Sequence, residues 1–497
     1  MFLKVMTAGA ALLFASVAQA DQYSPAQSCS IGPAEFQSWF SSGEISRNGA
    51  VTFAPSARFP TDNTKCDFYK WGHQMFLWMT SPAGSGLVLT SPTFYNVNFG
   101  ANGGYFIQGD SSGYLKASKT LKVQALRTKV NTFHLKSAIS QTIQPDGQAG
   151  GRDTLMSLNG SIVYYSVHAN DMFAWFNTAV INGDIGQDAS FPSTQADLDR
   201  LKAYILGQQV KVNDADAMTM EIKASWIDAD KVVGKQTDYV TIDADVPNYQ
   251  GKVGAREWTI GTPATVKKKI ALVGMHVVGS VKGHPEMVWA TFEHRANAPD
   301  NDYYVTRSPQ FQPITFNQLV PYNSVGQWNF MQSNGRREGA LQPQMKVEDD
   351  GTIIALTANG IRPNNTYRVN PWGNLPDASS ANNNTQLVTL NRNIDGMLAT
   401  TAGGADVRSN YIQIGSVWTQ DGSIPTSPTD TGKQIGSLLL ANATMETYHQ
   451  EVGASIPDAF QHGCFGCHNG NVKPEQALVP TNISHLFSTS NQPLVPK

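Results

Sequence analysis

The stretch MEIKASW, residues 220–226, decides the fold class. Apolar Met220, Ile222, Ala224 and Trp226 alternate with Glu221, Lys223 and Ser225. That period of two is the mark of a β-strand with one apolar and one polar face. The pattern continues outward. Val240, Ile242, Ala244 and Val246 alternate with Thr241, Asp243 and Asp245. Ile270 to Val278 is nearly all apolar and reads as a central strand, and Met287 to Glu293 follows after a turn at Gly283-His284-Pro285. Tyr411 to Trp418 is a late strand. Short connections between such runs imply antiparallel pairing. The expected fold class is α+β: a mainly antiparallel β body, sandwich or barrel-like, with flanking helices and a C-terminal helical segment.

Helical patterns flank the strands. Pro33 to Phe40 is a short one, and Asp62 to Met79 carries Phe68, Trp71, Met75, Trp78 and Met79 at helical spacing, with Asp62 or Thr64 as cap. Asn170 to Val180 and Thr194 to Leu206 are two more. Residues 297–410 are rich in Pro, Asn and Gly and read as long loops over one end of the sheet. Gln434 to His449 reads as a helix, with Leu438, Ala441, Met445 and Tyr448 as its apolar stripe.

Composition narrows the function. Charged residues make up 15% of the 497, against a usual share of about a quarter. The formal charge is −3, so no basic excess exists to neutralise phosphates, and nucleic acid is excluded as an expected partner. Residues 1–20, MFLKVMTAGAALLFASVAQA, have a basic start, an apolar run and an A-x-A site at Ala18-Gln19-Ala20. They read as a secretory signal peptide cleaved after Ala20. The expected location is the periplasm, and no later stretch has the roughly 20 apolar residues of a membrane span. The expected division is 1–20 signal peptide, 21–430 β-rich body and 431–497 haem c attachment segment.

That last assignment rests on Cys464-Phe465-Gly466-Cys467-His468. C-x-x-C-H is the c-type haem attachment pattern. Two thiols three residues apart can add to the two vinyl groups of one porphyrin, which leaves the adjacent His beneath the iron. Export is an independent requirement, because this haem is attached outside the cytoplasm. The expected cofactor is one covalent haem c on Cys464 and Cys467, with His468 axial. A Cys464–Cys467 disulfide of thioredoxin type and a zinc site using Cys464, Cys467, His468 and a further His are the competing readings. Cys29 and Cys66 remain, and in an oxidising compartment a disulfide between them is expected, with free thiols as the alternative.

The sixth iron ligand is open. Of the 29 residues after His468 none is Met, and His485 is the one His, which makes it the leading distal candidate. Met445, His73 and an open or water-ligated iron are the others, while His462 lies too near the attachment site. His449 shares a helical face with Met445. His276 and His294, with Glu293, sit on neighbouring strands, where a metal site competes with core packing. Lys223 with Trp226 is either a buried cation beside an aromatic ring or a solvated face. Glu446 and His449 are read as a salt pair.

Several stretches resemble a known group: WGHQMFLWMTSP (71–82), MEIKASW (220–226), ALVGMHVVG (271–279), MVWATFEH (287–294), YIQIGSVW (411–418), LANATMETYHQ (440–450) and CFGCH (464–468). They resemble exported bacterial proteins of the cytochrome c family that carry one haem and have no assigned activity. The resemblance implies that Cys464, Cys467 and His468 hold the haem, and it implies no catalytic residue. Two functions follow as expectations. One is electron transfer to a periplasmic redox partner; the other is a haem-dependent oxidoreductase or peroxidase with a substrate site in the β-rich body.

Overall fold

The computed structural model describes residues 28–60, 62–100, 103–110, 112–116, 143–144, 148, 152–307, 316–425, 433–450, 463–468, 479–490 and 492–494. The signal peptide expected at 1–20 and the candidate ligand His462 lie outside the described residues.

Most of the described chain builds one large sheet. Its principal strands are β1 (Phe94–Gly100), β2 (Gly103–Gln108), β3 (Tyr164–Asn170), β4 (Met220–Asp228), β5 (Thr241–Gln250), β6 (Glu257–Val281), β7 (His284–His294), β8 (Tyr411–Thr419) and β9 (Gln434–Gly436). Their order is β9-β8-β7-β6-β4-β3-β1-β2, and β5 pairs with the first half of the long β6. All of these pairings are antiparallel. The path is open, so no closed barrel forms among the described residues, and the barrel-like expectation is corrected. The sheet is not faced by a second sheet of comparable size either, since the two remaining sheets have two strands each.

Alternation along β4 sets the two faces. Ile222, Ala224 and Trp226 enter the main core with Met275 and Val277 of β6 and Phe292 of β7. Helices cover that face. In α2 (Lys65–Met79) Phe76 stacks on Phe292 with ring centroids 4.4 Å apart. Thr64 caps this helix in a reciprocal box with Asp67, as the sequence allowed. The helices α3 (Asp171–Ile181) and α4 (Gln195–Gly207) have Asn170 and Thr194 as side-chain caps. Cys29 and Cys66 form the expected disulfide, which ties the chain before α1 (Pro33–Ser38) to the first turn of α2.

Two regions depart from expectation. Residues 297–410 are more than loops. They hold two hairpins, Tyr303–Arg307 with Phe316–Val320 and Met345–Val347 with Ile353–Ala355, and the 19-residue α5 (Ala381–Ala399). Gln434 to His449 is not a helix. Gln434–Gly436 is an edge strand on β8, and the chain then crosses the polar face of the sheet in turns. The Asn442 side chain accepts the Thr444 amide at 2.9 Å, a local bond that competes with helical pairing. The expected stripe is split: Met445 is buried while Leu438 is 40% exposed. Among the described residues no helix is long and apolar enough to cross a membrane.

Candidate functional site

The C-terminal chain covers much of the polar face of the sheet. Residues 442–446 form one cover. Ser225 and Thr444 hydroxyls bond at 2.7 Å, the Asn442 amide group donates to Thr291 Oγ1 and to the Phe292 carbonyl at 2.9 Å each, and Glu293 Oε1 accepts the Ala443 amide at 2.8 Å. The hydroxyl of Tyr165 donates to the Thr444 carbonyl at 2.7 Å. Glu293 is itself held by the buried Arg368 guanidinium at 3.1 Å. Gly274 lets this cover approach, because a Cβ there would stand 2.5 Å from Thr444 Oγ1.

Residues 463–468 and 479–490 form the second cover, and the first of these segments carries the Cys-x-x-Cys-His motif. Cys464–Cys467 is one helical turn, α6, whose Phe465 is buried in the main core. His468 packs its ring 4.4 Å from the Trp289 ring of β7 and 4.0 Å from the His485 ring, nearly parallel to the latter at 23°. The Ile483 carbonyl lies 3.0 Å from His468 Nδ1 and fixes that nitrogen as the N–H donor, which leaves Nε2 as the ligating atom. Burial, and then the His485 charge, push the His468 pKa well down, so the ring is neutral. The Ser484 hydroxyl bonds the buried Glu221 of β4, and this anchors the turn before α7 (His485–Thr489).

Cys464 and Cys467 do not form a disulfide. Burial pushes the Cys464 thiol up and the Cys467 thiol up to about 12, so neither is a thiolate at neutral pH. Thiol–disulfide exchange needs a thiolate, so these two thiols are not poised for it. Among the described residues no group of three or more His, Cys, Asp or Glu is placed to hold a metal ion.

Between the two covers the described residues leave one part of the sheet only half-buried. In β3, β4 and the second half of β6 every residue is buried but one: Val167, Lys223 and His276. These three are direct cross-strand partners, so they form a single row. The row before it, Glu221–Val278–Trp289, lies under His468 and Ser484. Glu446 closes the far side, with Oε1 2.9 Å from His276 Nε2 and Oε2 2.8 Å from the Asn442 amide. His276 Nδ1 meets Thr291 Oγ1 at 2.8 Å. Lys223 lies 5.6 Å from the Tyr165 ring centroid. Burial lowers its pKa and Glu446 opposes that shift.

The structure sorts the other candidates. His485 and His468 are brought together. Their rings meet face to face, and the Cys467 carbonyl accepts a bond from His485, so binding one iron from opposite sides requires His485 to move. His73 lies on the other side of the sheet against Phe292, neutral because burial pushes its pKa down to about 3. Met445 packs into a satellite core with Tyr165, Val273 and Phe330. His294 is a core residue: it stacks on Tyr239 at 3.7 Å and bonds the Asp238 carbonyl at 3.1 Å. Glu293 faces Arg368, so His276, His294 and Glu293 do not converge on a metal. Trp226 points away from Lys223 and donates to Ser166. Glu446 turns to His276, while His449 acts on Asp153. Sequence reasoning did not assign Glu221, Trp289, Thr291 and Ile483 to the site. The signal for Glu221 was a carboxylate inside a strand whose neighbours are apolar.

Searches against family models, curated proteins and solved structures find no match for this chain.

Proposed function

We propose that the chain is an exported, periplasmic c-type cytochrome with one haem attached covalently through Cys464 and Cys467 and with His468 as axial ligand. Its function in this reading is electron transfer to a periplasmic redox partner. The observation that carries it is the Cys-x-x-Cys-His motif with its His neutral, buried and held through Nδ1 by the Ile483 carbonyl. That is the preparation an axial imidazole needs, because the bond to Nδ1 sets the tautomer and raises the basicity of Nε2. The two unbridged thiols on one helical turn complete the donor set. The haem would supply a one-electron Fe(III)/Fe(II) couple. The chain's own part is to hold His468 against Trp289, to exclude water through Phe465 and Trp289, and to set the local charge through Lys223, His276 and Glu446. His485 stays the leading distal candidate.

One observation favours a second reading, a haem-dependent oxidoreductase or peroxidase. The opening over Val167, Lys223 and His276 adjoins His468 and supplies a cation, an imidazole and a carboxylate where a substrate would lie. Visible spectra of the purified protein with and without dithionite and CO separate the two. A six-coordinate, low-spin iron that ignores CO supports electron transfer, and CO binding to the reduced protein supports the enzyme. A protein with no haem absorption rejects both.

A further inference from the structure

We propose that Lys223 is the receptor for a carboxylate group held in the opening beside His468. The inference rests on the haem reading for one of its two carboxylate sources, the haem's own propionate. The other source is a small carboxylate substrate, which needs no haem.

Val167, Lys223 and His276 are the half-exposed residues of three otherwise buried strand segments, and they are neighbours across the sheet. The opening is therefore one feature with a charged floor. The row that touches His468 and Ser484, Glu221–Val278–Trp289, stands two residues along the strands, about 7 Å away. A group seated on Lys223 is thus within one small molecule's reach of the motif.

Among the described residues Lys223 is the charged member of the floor that makes no hydrogen bond or ion pair. Its closest recorded contact is the Tyr165 ring at 5.6 Å. Glu446, the nearest carboxylate, is already engaged on both oxygens, by His276 and by the Asn442 amide. A cation in a mostly covered site is costly unless an anion meets it. Neutral ligands do not remove that cost, and a second cation adds to it. A carboxylate answers it, with Lys223 as a point charge. The Tyr165 face and Val167 supply an apolar wall for the rest of the ligand. A phosphate would bring about two charges to one ammonium and would press against Glu446, so a singly charged carboxylate is the better match.

The test uses the full purified protein, wild type, Lys223→Gln and Lys223→Arg, with covalent haem content measured first. In the first arm, resonance Raman spectra report the haem propionate bending mode, and redox titration reports the potential. If the propionate is the ligand, Lys223→Gln shifts the mode and lowers the potential, and Lys223→Arg restores both towards wild type. In the second arm, succinate is titrated into wild-type protein and followed by calorimetry. If a free carboxylate is the ligand, succinate binds with saturation, and Lys223→Gln weakens it at least about tenfold. Absence of succinate binding together with an unmoved propionate mode and potential overturns the proposal. If Lys223→Gln does not fold, Lys223→Met takes its place in both arms: no succinate binding to wild type together with an unmoved mode and potential in Lys223→Met reject it. A protein without covalent haem rejects the haem reading alone, because the succinate arm does not depend on it.

Discussion

Gly274 is the point where the fold and the site depend on the same atom. The perturbation is Gly274→Ala. A Cβ at this position lies 2.5 Å from Thr444 Oγ1, 2.6 Å from Ser225 Oγ and 2.9 Å from Asn442 Oδ1. Relief needs a shift of roughly 1 Å in the cover segment, since ordinary contact begins near 3.4 Å. That shift strains or breaks the Ser225–Thr444 bond at 2.7 Å and the two Asn442 bonds at 2.9 Å. At about 1 kcal/mol for each of two to three bonds, with overpacking of about 1 kcal/mol, the loss is about 3–4 kcal/mol. Gly396 is the control. It is exposed in α5 with nothing within 4 Å of an added Cβ, so Gly396→Ala stabilises by about 0.8–1 kcal/mol through helix propensity. Urea unfolding followed by tryptophan fluorescence measures both. If Gly274→Ala matches wild type within about 0.5 kcal/mol, the close docking of residues 442–446 on β6 is refuted.

Arg368→Met leaves the fully buried Glu293 carboxylate without its guanidinium, and it costs about 3–5 kcal/mol, with partial recovery in the Arg368→Met, Glu293→Gln double variant; denaturation midpoints check this. Burial raises the Glu221 carboxyl to about 7, so its contribution is fully present below the unfolded value near 4.5 and is lost as pH rises through about 7. Glu221→Gln flattens that slope, and unfolding free energies at pH 5 and pH 8 measure it. Removing the disulfide with Cys29→Ser and Cys66→Ser, whose loop spans a separation of 37, costs about 4 kcal/mol on the chain-entropy account and is read from urea midpoints. If His485 is the distal ligand, His485→Ala opens the reduced haem to CO, and an unchanged low-spin spectrum places the ligand elsewhere.

The strands were legible wherever side chains alternate. MEIKASW, the run 270–278 and MVWATFE all lie within observed strands, because burial of one face leaves a period of two in the sequence. The cap Thr64 was legible for the same kind of local reason, and Asn170 and Thr194, which cap α3 and α4, stood at the starts of their helical stretches. Two things were not. The helix α5 hides behind Asn382, Asn383, Asn384 and Thr385, poor helix formers, and tertiary burial of Leu387, Leu390, Ile394 and Leu398 overrides them. The apparent helix 434–449 fails for the opposite reason. Its apolar spacing is right, but the Asn442 side chain takes the Thr444 amide locally and both side chains bond the sheet, which competes with helical pairing. The motif of the site was legible from five residues. Its surroundings, Glu221, Thr291, Trp289 and the Glu446–His276 pair, come from strand register, which no local pattern encodes.

The central claim is a haem joined to Cys464 and Cys467 by covalent bonds. The direct test is to denature the purified protein and extract it with acidified organic solvent. The account predicts that the haem chromophore stays with the polypeptide, and that it is lost in a Cys464→Ser, Cys467→Ser variant. A haem that passes into the solvent from the unaltered protein, or a protein that carries none, contradicts it.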